Sequence, residues 1–269
     1  SRYDVDGIHF DYIRYPEKTA KNKEDWRRDN ITRIVRQLYN AIKEEKPWIR
    51  VSCSPVGKYS DVARYSAKGW NAYNAVYQDA VLWLKEGIMD MLSPMMYFKG
   101  NHFFPFAADW QEQSHGKVIA PGLGIYFLDP KERNWDLSEV TRELQFIRQI
   151  GMGGAAYFRT QFLLDNVKGL EKWVSNYYYT APALMPPLKN DKEYKTSATR
   201  TPRYVLYASD TYPVDTQKAE NIVRVYWGKV EYNELMARLF GKHLAVTVMD
   251  EYGNESEPMS IEELTTGNY

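Results

Sequence analysis

The stretch DVDGIHFDYIRYP, residues 4–16, decides the fold. Its centre, residues 6–12, is apolar enough to be a buried strand, and the turn residues around Pro16 end it. Side chains alternate along a strand, so Gly7, His9 and Asp11 share one face while Ile8, Phe10 and Tyr12 share the other. The apolar set suits a covering layer of helices. The polar set suits the inside of a parallel-stranded scaffold, with Asp11 at the C-terminal end of the strand, where barrel enzymes carry their catalytic groups. An ionised carboxylate in such a place is costly unless it is paired or used. Asp11 is therefore the leading candidate for chemistry, and its alternative is a structural pairing with Arg14 or a backbone amide. Asp6, at the strand's other end, reads as a capping or structural residue.

Working outward, strand and helix patterns alternate five times. Ile31, Ile34, Val35, Leu38 and Ile42 recur at helical spacing within residues 21–47, and Pro47 stops that helix. WIRVSCSPVG (48–57) reads as a strand, NAVYQDAVLWLKEG (74–87) as a helix capped by Gly87, and IMDMLSPMMYF (88–98) as a strand. FAADWQEQSHG (106–116) is a short helix, KVIAPGLGIYF (117–127) a strand, and DLSEVTRELQFIRQIG (136–151) a helix capped by Asp136 or Ser138 and stopped at Gly151. GGAAYFRTQFL (153–163) and DNVKGLEKWVSNYY (165–178) complete the series as strand and helix. Short, almost continuously apolar strands are expected where helices cover both faces of a parallel sheet. A closed eight-stranded barrel takes roughly 250 residues, so residues 1–179 supply only its last five βα units.

Beyond these, residues 180–202 are rich in proline and lysine, lack apolar periodicity, and read as a linker or edge segment. Residues 203–269 change pattern: RYVLYAS, NIVRVYWG and HLAVTVMDEYGNESEPMS are β-like, with a turn at EYGNE, and predict a small all-β sandwich.

The composition narrows the functional classes. Lys plus Arg and Asp plus Glu both number 35, so the chain has no net charge to draw it to nucleic acid or an anionic membrane. No apolar run approaches the ~20 residues of a membrane span, and the first residues carry no signal-peptide pattern. A lone cysteine, Cys53, excludes an internal disulfide framework; alternating with Ser52 and Ser54, it is expected to face the helices as a small buried residue. The histidines at 9, 102, 115 and 243 are scattered and form no metal set. GLGIYF lacks the full glycine pattern of a nucleotide site. No metal or organic cofactor is expected.

VDGIHFDYIRYP resembles the signature of the bacterial glycosyl-hydrolase-like family 10, glycosidase-like proteins with a (β/α)8 barrel. VSCSPVGKY is similar to that family's Ser-Pro-Phe-Gly segment, with Val56 in place of Phe, and DAVLWLKEGIMDMLSPMMYF is similar to its Trp…Gly…Asp…Pro-Gln-x-Tyr segment, with Met95 in place of Gln. Tyr12 stands where the family commonly has a second Asp. HLAVTVMDEYGNESEP resembles the last strands of fibronectin type III-like modules. The resemblance implies that the opening strand is the fourth of a TIM-type barrel, that residues 1–179 hold strands four to eight, and that the substrate is an oligo- or polysaccharide. It also implies an exported bacterial protein, extracellular, periplasmic or at the cell surface.

Glycoside hydrolysis takes two carboxyl groups, ~5 Å apart for retention or ~6.5–9.5 Å apart for inversion. Asp11 supplies one. Asp129, after the seventh strand and followed by Glu132, is the candidate for the second; it also suits a turn before Pro130, and the partner can instead lie in barrel strands outside this chain. His9, Tyr12, Arg14, Tyr15, Lys58, Tyr97 and Arg159 are the expected sugar-binding residues, with Tyr59, Trp70, His102 and Phe103 as further rim candidates. The rival expectation is a non-catalytic carbohydrate-binding or structural fragment. Five parallel strands leave two raw sheet edges, which predicts either a preceding barrel segment or self-association.

Overall fold

A computed structural model describes residues 3, 5–16, 22–188, 201–230 and 239–266. It is mixed α/β and divides into two compact units, Ser1–Trp173 and Val174–Tyr269.

In the first unit β1 (Gly7–Phe10) pairs in parallel with β2 (Arg50–Cys53), Gly7 opposite Arg50 and Phe10 opposite Cys53. Between them runs α1 (Glu24–Glu45). The third and fourth strand patterns are each split by a proline. Residues 88–98 give β3 (Met91–Leu92) and β4 (Met95–Met96), and residues 117–127 give β5 (Val118–Ile119) and β6 (Gly122–Leu123), before β7 (Ala156–Tyr157). β2 pairs with β3 and β3 with β5; β4 pairs with β6 and β6 with β7; all of these pairs are parallel. Neighbours in the sheet are thus neighbours in sequence, and each interruption has the same cause. Proline has no N–H to give to a ladder. Its carbonyl still accepts, so Met95 N donates to Pro55 O (2.9 Å), Gly122 N to Pro94 O (2.8 Å) and Ala156 N to Pro121 O (3.0 Å).

Glycine is required at one of these crossings. A Cβ on Gly57 would run into the carbonyl of Met95 and come within 2.9 Å of Met96 Cα, all of it backbone that cannot swing aside. The Gly57 carbonyl in turn accepts from the buried Trp110 indole (2.8 Å).

The helices depart from expectation in instructive ways. On α1 the buried stripe is Arg28, Ile31, Thr32 and Val35, while Ile34 and Leu38 remain 50% and 37% exposed. Two polar residues are buried because each has a partner: Thr32 Oγ1 accepts from the Trp83 indole (2.9 Å), and Arg28 donates to Tyr73 O (3.1 Å) and pairs with Asp25. The helix expected over 74–87 is two, α2 (Ala72–Ala75) and α3 (Ala80–Lys85), capped by Asn71 and Asp79. Tyr77 breaks them apart at φ +62°, with its ring buried. The break delivers the Gln78 amide between two strand ends, accepting from Val56 N (3.0 Å) and donating to Ile13 O (2.9 Å). α4 (Phe104–Glu112) and α5 (Leu137–Gln149) follow, the latter capped by Asp136, which accepts from Ser138 N (2.9 Å). The strand expected over 153–163 is only β7, followed by α6 (Thr160–Leu164). The closing helix is α7 (Leu170–Trp173), preceded by a 3-10 turn. As expected, Cys53 is buried.

At the N-terminal end of β3, the buried Asp90 accepts from Val51 N (2.8 Å) and the Tyr39 hydroxyl (3.0 Å) and pairs with Lys43 (2.8 Å), tying α1 to the sheet.

The second unit is built on β8 (Arg203–Ser209), flanked antiparallel by β9 (Ile222–Trp227) and β10 (His243–Met249). After the turn at Asp250–Asn254, where Gly253 takes φ +90°, the chain returns along β10 through bridges Met249–Glu255 and Val246–Met259. Alternation gives β8 two apolar faces. Tyr204 and Leu206 pack with Met259, Ile261 and Leu264, the last two on α8 (Ile261–Thr266). Val205 and Tyr207 pack with Val214 and Leu184. Leu184 belongs to the 180–202 stretch, and residues 189–200 of that stretch lie outside the described residues.

Two outcomes follow. Gly57→Ala should destabilise the chain by about 1–3 kcal/mol, as forced overpacking does, read as a fall in the urea midpoint; a change below measurement error would contradict the close approach. Glu143, on α5, is 1% exposed and neither carboxylate oxygen has a hydrogen-bond partner, so burial pushes its carboxyl up to about 9. A raised folded value means that stability is greatest below the ordinary carboxyl range and is lost as pH climbs towards 9. Glu143→Gln should therefore stabilise the protein at pH 8, by on the order of 3 kcal/mol, and have little effect at pH 4.5; equal effects at both would refute the buried carboxyl.

Candidate functional site

Parallel pairing brings the C-terminal ends of β1, β2, β4, β6 and β7 to one end of the sheet, and the candidate residues follow from there. β1 stops at Phe10, so Asp11 is exposed just past the strand, its Oδ1 accepting from Tyr12 N (2.7 Å). Burial raises the Cys53 thiol and the Tyr97 phenol, and the Asp11 charge adds to both shifts.

His9 and the serines of β2 form a polar row beside Asp11. His9 Nδ1 lies 2.8 Å from Ser52 Oγ and Nε2 lies 2.9 Å from Ser54 Oγ. Burial lowers the imidazole pKa, and the neighbouring Asp11 charge works against that shift. Tyr97, after β4, stacks on Phe158, after β7, with ring centroids 4.9 Å apart and planes 16° from parallel. Tyr126 meets both rings edge-on. Burial, then the Asp11 charge, push the Tyr97 phenol up to about 12. Arg159 follows Phe158 and lies over Phe162 (5.3 Å), and its positive charge opposes the upward shift that burial imposes on Tyr126.

Other expected residues fall elsewhere. Strand alternation puts Tyr12 on the helix-covered face, but β1 has already ended. Tyr12 takes φ +60° and is 67% exposed, with the Arg14 guanidinium over its ring (4.3 Å) and Trp70 on the guanidinium's other contact (5.8 Å). Tyr15 packs edge-on against Tyr77, and its hydroxyl accepts from Asn30 of α1 (3.3 Å). Lys58 is 5% exposed: its amino group lies 2.9 Å from His102 Nδ1 and between the rings of Phe98 (5.0 Å) and Phe106 (4.7 Å), and burial lowers its pKa. Sugar cannot reach Lys58 or the fully buried Phe103 in this arrangement. Asp129 is engaged in a turn, its Oδ1 accepting from Lys131 N (2.8 Å) and its carbonyl from Asn134 N (3.1 Å). Ser52, Ser54, Tyr126 and Phe158 were not singled out for function by the sequence. The serines carried a signal, since parallel register sets Ser52 beside His9; the aromatic pair, from separate strand ends, carried none.

Among the described residues no three His, Cys, Asp or Glu side chains are grouped to hold a metal ion, and no helix is long and apolar enough to cross a membrane.

Residues 12–127 match the family described as Glycosyl hydrolase-like 10. That span includes Lys58 and Tyr97; His9, Asp11, Phe158 and Arg159 flank it. Glycosyl hydrolase YngK of Bacillus subtilis (strain 168) is 27% identical over 218 residues, 69% of this chain and 43% of YngK. Glycosyl hydrolase DigH of Escherichia coli (strain K12) is 29% identical over 118 residues, 36% of this chain and 27% of DigH. The chain thus spans less than half of either relative. Among solved structures, two endo-β-1,4-mannanase structures from Thermotoga petrophila align with TM-scores of 0.39 and 0.40, at 16% and 11% identity, over 52% and 86% of this chain and 43% and 60% of theirs. The family match and the two hydrolase relatives support a glycosyl-hydrolase-like chain.

The electrostatic grouping has a direct check. In Asp11→Asn the Tyr97 phenol should titrate at lower pH, because a neighbouring negative charge that disfavours phenolate is gone. Carbon-13 tyrosine spectra, with Tyr97→Phe for assignment, read the shift; an unmoved or raised midpoint would place Asp11 away from Tyr97.

Proposed function

We propose that this chain is the C-terminal part of a barrel glycoside hydrolase acting on an oligo- or polysaccharide, with residues 1–179 as barrel strands four to eight and residues 203–269 as a fibronectin III-like module. One observation carries the reading: an exposed carboxylate, Asp11, stands at the C-terminal end of a parallel strand, at the same end of the sheet as the stacked rings of Tyr97 and Phe158. A carboxylate there attacks or stabilises an anomeric centre, and flat aromatic faces suit the C–H faces of a pyranose. Arg159, Arg14, Tyr12 and Trp70 extend the binding surface. The second carboxyl comes from barrel strands beyond those of this chain, since Asp129 serves a turn.

Two features support further strands. β1 and β7 end their sheets. On α1, Thr32, Arg36 and Tyr39 meet Trp83, Glu86 and Asp90, whereas Ile34 and Leu38, on the opposite flank, are exposed. Further βα units would cover that flank and pair the β1 edge. The same open edges favour a second reading, in which this part alone holds carbohydrate without cleaving it and completes its sheet by self-association. An exported location goes with the family resemblance.

The chain, and the same chain extended upstream by its native sequence, should be assayed on a panel of soluble polysaccharides with reducing-end detection. Cleavage by the extended form, reduced about a hundredfold or more in Asp11→Asn as expected for loss of a reacting carboxylate, is the expected result. Undiminished cleavage in Asp11→Asn removes the assignment. Binding by affinity electrophoresis with no cleavage by either form favours the second reading.

A further inference from the structure

We propose that the glycan held at the ends of β4, β6 and β7 carries a carboxylate, with Phe158 stacking on its sugar ring and Arg159, assisted by Arg133, holding the acid group. The inference rests on the carbohydrate reading of this end of the sheet and names the class of glycan. Phe158 is fixed by its backbone, its N donating to Leu123 O (3.0 Å) and its O accepting from Tyr126 N (3.4 Å). Tyr97 stacks on its ring and Tyr126 meets it edge-on, yet the residue stays 45% exposed. A flat apolar ring, held in place and left open to water, suits the C–H face of a pyranose.

Cations frame the same aromatic cluster. Tyr126 also contacts the rings of Phe127 and Phe162, with centroids 4.0 and 6.4 Å away. The Arg133 guanidinium lies over Phe127 (4.2 Å) and that of Arg159 over Phe162 (5.3 Å), so each of these two neighbours of Tyr126 carries an exposed arginine. Surface arginines elsewhere in this unit have carboxylates, Arg36 with Glu86 and Arg64 with Glu112. Among the described residues Arg133 and Arg159 have aromatic rings and no ion pair. At Tyr126 their two charges oppose the upward shift that burial imposes, and the charge of Glu132 acts the other way. The balance is a local excess of positive charge in a chain with none overall. A guanidinium laid over a ring keeps its in-plane N–H edge for a carboxylate, which it meets with two parallel hydrogen bonds. Arginine is also weakly hydrated, so exchanging water for an acid group costs it little. A neutral glycan would leave both charges unused.

Calorimetric titration of the chain with two matched pairs of polymers decides this without turnover: polygalacturonate against its methyl ester, and carboxymethylcellulose against hydroxyethylcellulose. Within each pair the backbone is kept and the acid group is lost. One acidic polymer or both should bind about tenfold more tightly than the neutral partner, and added salt should narrow the gap. Arg159→Gln should weaken that binding about tenfold. Arg159→Lys should restore part of it, because the charge returns without the fork. Phe158→Ala should weaken binding to acidic and neutral members alike, and Arg224→Gln, in the second unit, should change nothing. Equal affinity within both pairs, binding of neither acidic polymer, or a preference that survives Arg159→Gln overturns the proposal. So does a loss in Arg224→Gln as large as that in Arg159→Gln, which would mark the attraction as general to the surface. If an acidic polymer binds as expected and the extended form cleaves no glycan, the hydrolase reading falls while the site stands. If the extended form cleaves neutral polysaccharides as fast as acidic ones, the site falls while the hydrolase reading stands.

Discussion

The first unit depends on a parallel ladder that runs through three prolines. Pro55, Pro94 and Pro121 each lack the N–H that a central strand should give, and each still accepts from the next strand through its carbonyl. The consequence is positional. The ladder breaks into short rungs, β3 then β4 and β5 then β6, and the strand ends bearing Lys58, Tyr97 and Tyr126 can bend while staying paired. Gly57 shows how close the rungs come, because backbone packs on backbone with no room for a methyl group.

Much of this was legible because it follows from period and punctuation. Alternation in residues 7–11 assigns His9 and Asp11 to one face, and alternation in residues 52–54 sets Ser52 and Ser54 opposite Cys53; register then joins the two rows. What was not legible depends on contacts distant in sequence. No glycine or proline warns that Tyr77 interrupts a helix, since the reason is the Gln78 amide, which bonds Val56 and Ile13. Apolar spacing marks the helix α1 but not its buried stripe: Thr32 and Arg28 are buried by virtue of partners on Trp83 and Tyr73, while Ile34 and Leu38 stay exposed. Tyr12 was assigned by carrying the alternation two residues past the end of the strand.

Lys58 and Asp11 show how the same rim treats opposite charges. Both follow the C-terminal ends of adjacent strands. Lys58 is folded inward, its amino group against His102 and two aromatic rings, where cation–π attraction and one hydrogen bond offset its desolvation. The rings of Phe98 and Phe106 offer nothing comparable to an anion, whose charge their π-faces repel. Asp11, by contrast, stays exposed to water, its Oδ1 accepting from Tyr12 N.

That asymmetry bears on the chemistry. A carboxylate that attacks or steadies an oxocarbenium-like centre must remain ionised, while its partner must be kept protonated by burial or by a like charge. Asp11 is exposed at a strand end, on the side of the sheet that also carries His9, its two serine partners and the Tyr97–Phe158 stack. Glu143 has the protonated character but is buried on α5, on a helix rather than at a strand's C-terminal end, and its burial by itself gives it no route to a substrate. Asp129 serves a turn, so neither it nor Glu143 stands at a strand end as an exposed carboxyl beside Asp11.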